Sequence, residues 1–174
     1  MRTRRKFGWL TAALLTAGLV TGSSAVGAAT SYVHAQGDLV DFQLSSYNAT
    51  DGASAELWGV ASDGSTAFRV FFTGLDPAAA GARFGVHIHV GPCVAGNGTA
   101  AGPHYNTGGP ASTSTEVWLD FTVRAGGYGY ATTTVPFVIA PGAAQSMVIH
   151  ALPTAPGGAA GARQACLPVS FAVT

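Results

Sequence analysis

The stretch that most constrains this chain is Val86-His87-Ile88-His89-Val90, where apolar and imidazole side chains alternate with a period of two. Successive strand residues point to opposite faces, so His87 and His89 leave one face while Val86, Ile88 and Val90 pack on the other. Two imidazoles on one face can reach one centre. His104 follows after a glycine-rich loop that can fold back and bring a third ring to it. For His-x-His alone, two half-buried histidines satisfied by backbone carbonyls are the plainer alternative.

The surrounding sequence sets the fold class. Short β-prone runs separated by Gly, Pro and Asp dominate, and helix-period runs are hard to find after the N-terminus. Strands are expected over residues 37–46, 55–60, 66–73, the His-x-His run, 115–123, 128–137, 145–150 and 168–173. Asp63-Gly64 between two of them predicts a hairpin. About eight strands suit an all-β Greek-key barrel or sandwich, and 174 residues suit one domain. No internal repeat or second domain is evident.

Residues 1–29 read as an export signal: a basic start (Arg2, Arg4, Arg5, Lys6), an apolar run over 9–20 too short to span a bilayer comfortably, then small residues. An uncleaved anchor is the alternative. Thr3-Arg4-Arg5-Lys6-Phe7 fits a twin-arginine signal as well as an ordinary basic one. A cut after Ala35 is a second candidate, leaving residues 36–174 as the domain. The formal charge of the whole chain is zero, but four of the eight basic residues sit in this leader. Arg69, Arg83, Arg124 and Arg163 then face eight acidic residues, a net charge of −4. With no basic patch, nucleic acid is not an expected partner.

Four segments occur in order: FGVHIH, GTAAGPHYN, Met147-Val148-Ile149-His150, and Gly161-Ala162-Arg163-Gln164-Ala165-Cys166. Together they resemble the copper/zinc superoxide dismutase family over about residues 38–174, and that resemblance implies its eight-stranded Greek-key barrel. It places His87, His89, His104 and His150 on the copper-ligand positions and Arg163 on that of the anion-guiding arginine. It also implies a disulfide between Cys93 and Cys166, the only cysteines. In an exported protein a lone pair reads more readily as a disulfide than as a metal site.

Chemistry agrees with the ligand set. Imidazole suits both valences of copper, and copper binds nitrogen donors most tightly of the divalent first-row ions. Zinc also accepts four histidines but has no redox chemistry. The chain departs from the family over residues 105–115, YNTGGPASTST, which holds no His, Asp, Glu or Cys and cannot build the zinc site. The loop after His150 is short too. Both losses resemble the copper-only, secreted bacterial members.

The resemblance therefore implies a copper-dependent superoxide dismutase working outside the cytoplasm, without zinc, and off the membrane once the signal is removed. The alternative is a copper-binding or copper-buffering protein on the same scaffold. Glu116, at the end of the shortened loop, is the candidate to hydrogen-bond His104, with a solvent-facing glutamate at a strand start as the alternative; Asp120 is a weaker candidate, expected to face outward from a strand. The substrate would be the superoxide anion, drawn in by copper and Arg163. The sequence does not give the oligomeric state.

Overall fold

The computed structural model describes residues 31–173, so the expected signal over 1–29 lies outside the described residues. The first strand, Ser31–Asp38 (β1), is separated from Val40–Asp41 (β2) by Leu39 alone, where the chain leaves one sheet for another. The strand expected over 37–46 is therefore two pieces, beginning earlier and ending sooner. The alternative cut after Ala35 falls inside β1. His34 lies in β1 as well, its ring stacked on Trp58 at 5.4 Å and its Nε2 2.9 Å from Glu56 Oε1.

Ser54–Ser62 (β3) and Ser65–Thr73 (β4) form the expected hairpin. Asp63 and Gly64 take φ of 52° and 77°, as a tight two-residue hairpin turn requires. Arg83–Phe84 (β5) and Val86–His89 (β6) follow, then Phe121–Thr122 (β7), Gly129–Val135 (β8), Ser146–His150 (β9), Arg163–Pro168 (β10) and Ala172–Val173 (β11). All ladders are antiparallel.

The all-β class holds, with a different strand count. Among the described residues eleven strands make three sheets, ordered β11-β1-β3-β4-β8, β2-β10-β9-β6 and β5-β7, and they close no barrel. Two expected strands are redrawn. Of 115–123 only β7 is regular, because the free edge of β6 is already divided. Tyr105 N donates to Ile88 O and Leu119 N donates to Val86 O, each at 2.8 Å, so two segments share one short edge. Of the strand expected over 168–173 only Ala172–Val173 (β11) is a separate strand, while Pro168, which has no N–H to continue a ladder, ends β10, a strand that starts at Arg163.

Burial explains the sheets. In β3 and β4 every second side chain is buried, and Leu57, Val70 and Phe72 meet Ile88, Met147 and Ile149 from the other sheet in one core. Phe121 stacks between Phe72 and Phe84, with centroids 4.2 and 5.6 Å away. β6 and β9 are buried at every residue. One face of each enters the core; the other lies under the loops after β6 and β9. The Cys93–Cys166 disulfide ties the first of these loops to β10, with Cα atoms 5.9 Å apart.

Candidate metal centre

β6 and β9 are neighbours in register, His87 opposite Val148 and Val86 opposite Ile149. The face of β6 that carries His87 and His89 is thus continuous with the face of β9 that carries His150. The loop after β6 doubles back through the turn Gly98–Ala101, and an isolated bridge pairs His104 with His89. Gly91 permits this return: a Cβ there would lie 2.2 Å from Ala100 O. Three segments therefore deliver four imidazoles to one place, and one nitrogen from each ring lies within 4.8 Å of all the others.

The nearest inward pairs are His87 Nδ1 with His104 Nε2 at 3.0 Å and His89 Nε2 with His150 Nε2 at 3.3 Å. The outward nitrogens have oxygen partners. His89 Nδ1 faces Gly102 O at 3.0 Å and His150 Nδ1 faces Gly161 O at 3.3 Å. His104 Nδ1 lies 2.8 Å from Glu116 Oε2. Carbonyls and carboxylates only accept, so these three rings carry their proton outside and aim a lone pair inward. His87 Nε2 lies 2.7 Å from Thr154 Oγ1.

Converging lone pairs cannot hydrogen-bond one another. Protonation is opposed by burial first and by the neighbouring rings second, which push His87 down to about 2. Burial likewise lowers His89 to about 3 and His150 to about 4, although a carbonyl partner raises each in part. Four converging ring nitrogens fit a metal cation, with His89, His104 and His150 each oriented by an outer acceptor. The donor set suits copper of either valence and also accommodates zinc.

Glu116 is the main anchor of the loop ahead of it. It is 4% exposed and accepts from His104 Nδ1, Asn106 Nδ2 and Trp118 Nε1. Burial alone would raise its pKa, yet these three donors together hold it below the usual carboxylate value. Gly158, at φ 82°, packs against it: a Cβ there would sit 3.2 Å from Glu116 Oε2.

Arg163 begins β10, paired with His150 at a register shift. Its guanidinium donates to Gly98 O and Gly102 O, both at 2.6 Å. Gly102 O is therefore shared between Arg163 and His89. Burial lowers the Arg163 pKa from a value high enough that the group stays charged.

Two residues were not anticipated in these roles. Thr154 touches His87 from a Gly/Ala/Pro-rich loop with no periodic signal. Asp120, expected to face outward from a strand, instead accepts from both Thr154 N and Thr154 Oγ1. Among the described residues no helix is long and apolar enough to cross a membrane. Compared with known proteins, the chain matches no family model and no curated sequence.

Proposed function

We propose that this protein is a superoxide dismutase of the copper/zinc dismutase type, without the zinc site, holding one copper through His87, His89, His104 and His150. The observation that carries this reading is the set of four imidazoles, one nitrogen of each within 4.8 Å of all the others. Copper bound there would supply one-electron chemistry, accepting an electron from one superoxide and returning it to a second. The products are dioxygen and, with two protons, hydrogen peroxide.

The chain's own part is to hold and orient. Burial lowers the pKa of His87, His89 and His150, which keeps these three rings unprotonated and available to the metal at neutral pH. Outer acceptors fix the rings, so a change of valence costs little rearrangement. With a net charge of −4 after the leader, attraction for an anion must be local, and Arg163 supplies a fixed cation one carbonyl away from His89. The disulfide supports a place outside the reducing cytoplasm.

The test is dismutation by purified, copper-loaded protein, with copper and zinc counted per chain. Activity above the free-copper background, one copper and no zinc are expected. Arg163→Ala should lower the rate most at subsaturating superoxide. No activity above that background in the loaded wild type would overturn the enzyme reading; tight copper binding without activity would favour copper buffering.

A further inference from the structure

His87 differs from the other three ligand candidates. It faces the centre with Nδ1 where they use Nε2, and its outer partner is a hydroxyl, which can accept or donate. A hydroxyl that donated to Nε2 would leave the ring proton on Nδ1, inside the cluster, where it would block the metal. The direction of this one bond therefore decides whether the fourth nitrogen is available.

We propose that Asp120 and Thr154 are positioning residues that set this direction. Thr154 has a single hydroxyl proton. Asp120 Oδ1 lies 2.5 Å from Thr154 Oγ1, and Asp120 Oδ2 accepts the Thr154 N–H at 2.7 Å. The carboxylate claims the hydroxyl proton, so Thr154 Oγ1 can only accept from His87. The proton of His87 is fixed on Nε2, and Nδ1 keeps its lone pair for the metal. The same pair of bonds clamps the loop between β9 and β10, which also supplies Gly161 O to His150. Carboxylate, hydroxyl and imidazole form a relay whose members lie 34 and 67 residues apart in sequence.

This inference rests on the metal reading of the four histidines, and its test separates the two. Copper(II) is titrated into metal-free wild type, Thr154→Ser, Thr154→Val and Asp120→Ala against a competing chelator, with electron paramagnetic resonance of each complex. NMR of the ring nitrogens of the metal-free proteins reports the His87 tautomer. Thr154→Val keeps the backbone bond to Asp120 and removes only the hydroxyl. It should weaken copper binding roughly 10- to 100-fold, change the copper hyperfine pattern and release the His87 proton toward Nδ1. Asp120→Ala should do the same although it leaves every residue that touches copper in place. Thr154→Ser should behave as wild type. Wild-type affinity, spectrum and tautomer in Thr154→Val would overturn the relay; should that variant not fold, Asp120→Ala is judged by the same criterion. The tautomer readout needs no metal, so it judges the relay even where wild type takes up no copper, a result that would sink the metal reading alone.

Discussion

Glu116 gathers His104, Asn106 and Trp118 on one buried carboxylate. Removing it strands three donors in a place that water reaches poorly. Glu116→Ala should therefore destabilise the fold by about 3 kcal/mol, since each unsatisfied buried group costs roughly 1–3 kcal/mol. It should also loosen copper by at least tenfold, because His104 would lose the acceptor that keeps its proton outside. Glu116→Gln retains one acceptor oxygen but turns an amide N–H toward a donor, so it should fall between. Urea unfolding of the metal-free variants and copper competition measure the two effects separately. Equal stability of wild type and Glu116→Ala would show that the three bonds are replaced by solvent at no net cost.

At the scale of elements, the site depends on how closely the loop after β6 returns to its own strand. Gly91 N donates to Ala101 O at 2.8 Å, and no side chain fits between Gly91 and Ala100 O. Gly91→Ala should push the Gly98–Ala101 turn outward and move both carbonyls that hold Arg163. Overpacking of this kind costs about 1–3 kcal/mol. The prediction is a lower unfolding midpoint together with weaker attraction of the anionic substrate, read as a rate less sensitive to ionic strength than that of wild type. Unchanged salt dependence would mean that Arg163 keeps its place without this turn. Much of the element layout was legible beforehand: the Asp63-Gly64 hairpin and the β6 alternation follow from turn chemistry and period two, whereas His150 on β9 was picked out by the family resemblance. What failed was competition for edges. Residues 115–123 have real strand character, yet nothing local shows that 103–105 already occupies part of the β6 edge. Thr154 was hidden for a similar reason, since its loop has no period and its partners are remote in sequence. His87 and His89 were legible from their shared strand face, and the full set of four from the resemblance that their motifs carry.

Across the whole molecule, the buried histidine cluster sets how stability responds to pH. In the unfolded chain each histidine takes a proton near pH 6.5. In the folded, metal-free chain His87, His89 and His150 resist until about 2, 3 and 4. Between those values the unfolded state binds more protons, so stability falls as pH falls; it is fully present only above about 6.5. At pH 5 each of the three groups contributes a loss of about 2 kcal/mol relative to neutral pH, about 6 kcal/mol together. That is comparable to the 5–15 kcal/mol that typically holds a domain folded. The metal-free protein should therefore lose most of its urea resistance between pH 7 and pH 5. On the proposed reading, copper would favour the folded chain by an amount that stays level over this range, because the folded rings are already neutral, so the loaded protein should start from a higher midpoint and fall in parallel with the metal-free one. A metal-free midpoint that stays level from pH 7 to 5 would show that the rings are not held neutral by burial. The lone pairs would then already carry a shared proton, and copper would have to displace it, making uptake steeply pH-dependent in the range where the buried-ring account makes it level.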